Sequence, residues 1–162
     1  MMKANRKKKI KGFSLIELVI VVVIIGIIGA IAIPRMSRGS AGASDSALIG
    51  DLSVLRSAID LYAAEHNGSF PALATIEDQL TKLTKADGSV DIGKGKAGGY
   101  IFGPYIRKIP SLPVGTNSGN TAFTATLAEA NKGWYYSATT GVVTANLANA
   151  ETAEDGTAYN TY

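Results

Sequence analysis

The sequence has no cysteine and a single histidine, His66. Without cysteine there is no disulfide framework, no thiolate-bound zinc and no thiol nucleophile, and the redox character of the compartment stays open. One imidazole cannot make a histidine metal cluster. Charge is scarce too: 18% of the 162 residues are ionised at neutral pH, against roughly 25% in an average soluble domain. Acidic residues are absent from the first twelve positions, which hold Lys3, Arg6, Lys7, Lys8, Lys9 and Lys11. Those six are part of a total of 16 basic residues, so the rest of the chain has ten against 13 acidic ones and is net acidic. The sequence pI near 9.1 therefore belongs to the leader. A folded nucleic-acid binder needs a basic face, and the body of this chain has none.

What is present is apolar. Mean hydropathy is +0.15, and residues 13–33 read FSLIELVIVVVIIGIIGAIAI, with Ser14 and Glu17 the only polar members. A helix of 21 residues spans about 31 Å, close to the hydrocarbon thickness of a bilayer. The run is too long for a strand, and a body of this size could not bury it on all sides. The basic leader fixes the expected orientation, N-terminus cytoplasmic and the remainder exported. A secretory signal peptide fits poorly. The apolar region is too long, and no small-residue cleavage site follows it in a usable place, since Pro34 sits just beyond Ala30-Ile31-Ala32.

A better processing site precedes the apolar run. A short basic leader ends at Gly12, Phe13 follows, Glu17 is the fifth residue after the glycine, and Pro34 closes the apolar helix. This order and spacing resembles the type III signal of bacterial type IV pilins and type II secretion pseudopilins. The resemblance implies cleavage between Gly12 and Phe13 by a prepilin peptidase, and N-methylation of Phe13 by the same enzyme. It also implies assembly roles for Glu17, Gly26 and Pro34. Glu17 would pair with the Phe13 amine of a neighbouring subunit, and the helix between Gly26 and Pro34 can loosen on assembly. Independently of family, a carboxylate in hydrocarbon costs about 2.5–3.5 kcal/mol and asks for a partner or for escape to the interface. Gly26 and Gly29 also suit close helix packing in a membrane.

Beyond Pro34, which is expected to kink the helix or mark its exit from the bilayer, Arg35 and Arg38 cannot remain in lipid. Leu48, Leu52, Leu55, Ile59 and Tyr62 then recur at intervals of four, three, four and three, an amphipathic stripe. Gly68 is a candidate left-handed C-cap, with His66 near the last carbonyls. One helix over residues 13–67 would be about 80 Å long. In the remainder, residues 75–84 read as a short helix with Ile76, Leu80 and Leu83 on one side. Residues 87–99 read as a loop. The runs around Trp134-Tyr135-Tyr136 and Val142-Val143-Thr144-Ala145 flank Ala138-Thr139-Thr140-Gly141 and predict a hairpin. The expected class is α+β, a long N-terminal helix packed on a small antiparallel sheet. Its parts are a leader at 1–12, a transmembrane and assembly helix at 13–34, an amphipathic continuation at 35–67, and a periplasmic head at 68–162.

Two further segments, Gly103-Pro104-Tyr105-Ile106-Arg107-Lys108-Ile109-Pro110 and Gly133-Trp134-Tyr135-Tyr136 with Thr140-Gly141, are similar to the major pseudopilin of type II secretion systems. That resemblance implies a structural subunit of a periplasmic pseudopilus. Its partners would be other copies of the chain in a helical polymer, the prepilin peptidase, minor pseudopilins, and an inner-membrane platform with its ATPase. It also raises calcium, which that family binds through C-terminal aspartates. Here Glu151, Glu154 and Asp155 are the candidates, without the dense Asp/Gly pattern of that family. Calcium needs six to eight oxygens, which three carboxylates plus carbonyls could supply, but a solvated acidic tail is the favoured reading. Two alternatives remain. One is a major type IV pilin. The other, of a different class, is a membrane-anchored binding module that keeps its leader.

Enzyme signatures fail on context. Gly93-x-Gly95-x-x-Gly98 matches a dinucleotide fingerprint only by letter, without its strand and helix. Gly88 to Lys94 lacks the Ser or Thr a P-loop needs for magnesium. Asp87, Ser89 and Asp91 begin like a calcium-binding EF-hand loop, but Ile92 and Gly98 stand where Gly and Glu belong. No catalytic residue is expected.

Overall fold

In the computed structural model, residues 12–162 are described, with side chains at 12–30 and 41–162. The basic leader up to residue 11 and the side chains of Pro34, Arg35 and Arg38 lie outside them. The chain forms two compact units, Met1–Gly39 and Ser40–Tyr162. Helix α1 is Leu15–Glu65.

In the second unit, the apolar stripe of α1 becomes the core. Leu48, Leu52, Leu55, Ile59 and Tyr62 are all buried, each worth about 1.5–3 kcal/mol relative to exposure. They pack with Trp134, Tyr136, Val143, Ala145 and Leu147 from the far end of the chain. The helix stops where the sequence offers left-handed backbone. Asn67 and Gly68 have φ of 55° and 80°, and the Gly68 N–H donates to the Ala63 carbonyl at 2.8 Å. His66 is buried there. Its Nδ1 lies 2.8 Å from the Tyr62 carbonyl oxygen, and its Nε2 is 2.9 Å from that of Lys85 and 3.1 Å from Thr84 Oγ1.

Helix α2 is Ile76–Thr81, shorter than the expected 75–84. Ile76 and Leu80 are buried as anticipated, but Leu83 is only half-buried. The helix gives way because Thr84 is drawn into bridges with Val90 and Phe102, and Lys82 is already extended, with ψ of 172°.

The sheet corrects the expectation of an antiparallel head. Strands β1 (Phe123–Thr124), β2 (Trp134–Tyr136) and β3 (Val143–Ala145) lie in the order β1-β2-β3. The β2–β3 hairpin is antiparallel, with Tyr135 opposite Thr144, but β1 pairs with β2 in parallel. The sheet is therefore mixed. β1 is too short to carry a periodic signal, and it is brought in by a loop that returns over residues 125–132. That loop is held from beneath by two buried asparagines. Nδ2 of Asn117 and of Asn146 each donate to the Glu129 carbonyl, at 3.0 and 2.8 Å, and Asn146 also to that of Lys132. The class is α+β. The 103–110 segment joins the hairpin through the Trp134 indole, whose Nε1–H donates to the Pro110 carbonyl at 2.9 Å.

The tail returns to α1. Asp45 accepts from the Tyr159 hydroxyl at 2.8 Å and from the Glu154 N–H at 3.3 Å. Arg56 donates to the carbonyls of Val143 and Tyr162.

Two outcomes follow from this packing. A Cβ on Gly133 would lie 2.1 Å from the Asn120 carbonyl oxygen, and backbone cannot rotate away. Gly133→Ala should therefore cost about 3 kcal/mol and appear as a lower thermal midpoint; an unchanged midpoint would contradict the register of β1 on β2. The Tyr159 phenol is pushed up to about 12, chiefly by burial and then by its bond to Asp45. An unfolded tyrosine titrates near 10. The folded value is raised, so this contribution is intact below about pH 10 and is lost as pH rises through 12. Melting curves across that window should fall more steeply for the native chain than for Tyr159→Phe.

Candidate functional site

The junction between Gly12 and Phe13 lies ahead of α1, in a segment with no regular structure, and both residues are exposed. Phe13 is 91% exposed. A peptide bond outside a helix can enter a protease cleft in extended form, whereas one inside must first unwind.

Glu17 sits in the first turn of α1, and its Oε2 accepts the Ser14 N–H at 2.8 Å. Residues 14–17 thus spell Ser-x-x-Glu, with the acid reaching back to an orphan donor at the helix start, one half of a capping box. The negative charge also faces the positive end of the helix dipole. A pairing role alone missed this intrachain bond, although the Ser-x-x-Glu spacing was legible. Phe13, Glu17, Leu18, Val21 and Val22 line a shallow groove of about 270 Å³ along one side of the helix.

Among the described residues of this unit, nothing covers the apolar side chains. Leu15, Ile16, Val21, Ile24 and Ile28 are each at least half exposed. A contiguous apolar surface of this kind in water marks a membrane or a protein interface. Among the described residues, no helix is long and apolar enough to cross a membrane; the described side chains of the apolar run end at residue 30. Gly26 and Gly29 lie within α1, and a Cβ at either would meet nothing within 4 Å. Pro34, the remaining expected assembly residue, has its side chain outside the described set.

The three acidic tail residues are not gathered. Glu151 accepts from the Thr116 N–H at 2.7 Å and its hydroxyl at 3.0 Å. Asp155 accepts the Thr157 N–H at 2.9 Å, which holds its carboxyl below the usual range. The Glu154 carboxylate is exposed, and only its backbone meets Asp45. Among the described residues, no group of three or more His, Asp or Glu side chains is placed to hold a metal. Glu151 and Asp155 are thus each engaged by a local partner, while the Glu154 carboxylate faces solvent. The glycine-rich loop has a similar resolution. The Asp91 carboxylate collects the N–H groups of Gly93, Lys94 and Gly95 at 3.0, 2.8 and 3.0 Å, the donors that a phosphate-binding loop would offer its ligand.

Residues 7–33 match the prokaryotic N-terminal methylation motif. No curated protein and no solved structure matches the chain. The motif takes in the Gly12–Phe13 junction, Glu17 and Gly26, and it supports a type IV pilin-like protein processed by a prepilin peptidase. Such motifs are typical of membrane-anchored pilin-like proteins.

The cap is measurable. Removing the Glu17 carboxylate costs about 1 kcal/mol of local helix stability. In Glu17→Ala, hydrogen exchange at Ser14 should speed up about fivefold, with the second unit unaffected. Unchanged exchange at Ser14 would mean that the bond is not populated.

Proposed function

We propose that this chain is a structural subunit of a periplasmic pseudopilus that drives type II protein secretion. The methylation motif at residues 7–33 carries the reading. It is supported by an exposed Gly12–Phe13 junction, an acid in the first helical turn, and an apolar helix face that is exposed among the described residues. In this reading residues 13–34 anchor the chain in the inner membrane, N-terminus cytoplasmic and head periplasmic. The prepilin peptidase cuts at Gly12 and methylates Phe13. The platform and its ATPase then draw the subunit into a helical polymer of like chains, with minor pseudopilins, and supply the energy.

Glu17 is the registering group in this reading. Its carboxylate meets the Phe13 amine of the next copy, so that two charges costly in an apolar environment neutralise one another. Gly26 and Pro34 allow the intervening helix to adjust. The role is structural, with no catalytic residue. Segments 103–110 and 133–136 favour the secretion pseudopilus over a surface pilus through their similarity to the major pseudopilin. A major type IV pilin is the second reading.

Three measurements test this. The intact mass of the membrane form should lack residues 1–12 and carry about 14 Da of methylation. Retention of the leader would point instead to a membrane-anchored binding module. Glu17→Ala should insert and be cleaved yet give few filaments; a normal filament yield would remove the pairing role. In a strain lacking the protein, exported enzymes should vanish from the medium and accumulate in the periplasm. If secretion persists and only sheared surface filaments are lost, the chain is a pilin.

A further inference from the structure

Where α1 ends, a cleft of about 280 Å³ opens between the helix, α2 and the turn at residues 85–89. Its walls are Tyr62, His66 and Gln79, each less than a tenth exposed, with Phe70 alongside and Asp87 at the rim. Most of its polar atoms already have partners. Gln79 donates to the Gly88 carbonyl at 2.9 Å and accepts the Ala72 N–H at 2.8 Å. Both ring nitrogens of His66 face backbone carbonyls, and its ring stacks on Tyr62 at 3.8 Å.

Two groups differ. The Tyr62 phenol is held up by burial and by the nearby Asp87 charge, with no hydrogen bond contributing. A Cβ on Gly88 would stand 2.8 Å from its hydroxyl, so the glycine keeps that oxygen clear. Asp87 spends Oδ1 on the Ser89 N–H at 2.9 Å. The salt bridge formed among the described residues joins Lys82 to Asp78 and leaves Asp87 out. The nearest lysine in sequence, Lys85, lies over the Tyr100 ring at 4.6 Å from its centroid. The Asp87 carboxyl is held low chiefly by the Ser89 N–H, with a smaller contribution from the Lys85 charge, which forms no salt bridge with it.

A carboxylate that forms no salt bridge among the described residues, a phenol hydroxyl that faces the cleft, and a wall of aromatic rings form an environment suited to a cation on an alkyl stem. We propose that this cleft binds an alkylammonium or guanidinium group, inserted between Tyr62 Oη and the Asp87 carboxylate. The cation donates to both oxygens, and its methylene stem lies against Phe70. A lysine of a second copy and a small free amine or guanidine share this chemistry.

The test uses the full chain in detergent micelles, titrated with Nα-acetyl-arginine methylamide and, as the neutral counterpart, Nα-acetyl-norleucine methylamide. The Gly88 amide and His66 ring resonances should shift saturably with the arginine amide and not with the norleucine amide. Tyr62→Phe and Asp87→Asn should each weaken the effect about tenfold. Both variants keep the local bonds seen here, because Tyr62→Phe keeps the stacked ring and Asn still accepts from Ser89. Equal shifts with the neutral amide, or arginine shifts that survive both substitutions, would overturn the proposal. Carbodiimide coupling of assembled chains then separates the sources. An Asp87–lysine crosslink between copies assigns the cation to a neighbouring subunit, and arginine-amide binding without such a crosslink assigns it to a free amine or guanidine.

Discussion

The head depends on one stripe of α1. Leu48, Leu52, Leu55, Ile59 and Tyr62 have no value to the fold until something covers them, and no local partner can. Ile76 and Leu80 of α2 supply part of the cover, and most of the rest comes from beyond position 100, chiefly Trp134, Tyr136, Val143 and Leu147. Each of the other devices secures that cover. The Trp134 indole ties the hairpin to Pro110, the Tyr136 hydroxyl donates to the Pro71 carbonyl at 2.8 Å, and Arg56 reaches the edge of β3. The loops are therefore long and polar bonds are spent on backbone, because three strands of two or three residues cannot hold a sheet by ladder bonds alone.

The N-terminal unit obeys the opposite constraint. Its described side chains, up to residue 30, are almost all exposed, and from Leu15 its backbone lies within helix α1, the only arrangement besides a closed barrel that lets a chain leave water. Its one acid is placed at the first turn, where the free N–H groups and the dipole offset its charge. The Glu17 charge is thus partly offset within its own helix before any partner arrives.

Much of this was legible in residue order. The stripe follows a spacing of four, three, four and three; the hairpin flanks a turn ending in Gly141; and the helix stop reads as Asn67-Gly68. The parallel pairing of β1 was not legible, because Phe123–Thr124 is too short for a pattern and its place is set by Gly133 passing under Asn120. Nor was the anchor of the tail, since Asp45 and Tyr159 are 114 positions apart. The same blindness affected the acidic tail. Composition suggests a cation site at Glu151, Glu154 and Asp155, but only coordinates reveal that Thr116 and Thr157 have claimed two of the three carboxylates.

The cap on Glu17 also bears on how processing and assembly would be coupled in the proposed polymer. While the leader is attached, the residue before Ser14 presents an amide, and the carboxylate has the Ser14 N–H as its local donor. Cleavage at Gly12 would create a cationic amine on Phe13, one residue from that donor and on the exposed end of the helix. Two donors then compete for one carboxylate, and a charged amine outbids a neutral N–H because charge-assisted bonds are roughly twice as strong. Within one chain the amine is tethered to the helix that carries Glu17, which limits its approach. An amine from a neighbouring copy arrives free of that tether. In the proposed polymer, the same acid that holds the first turn before cleavage would then be available to a cleaved neighbour afterwards.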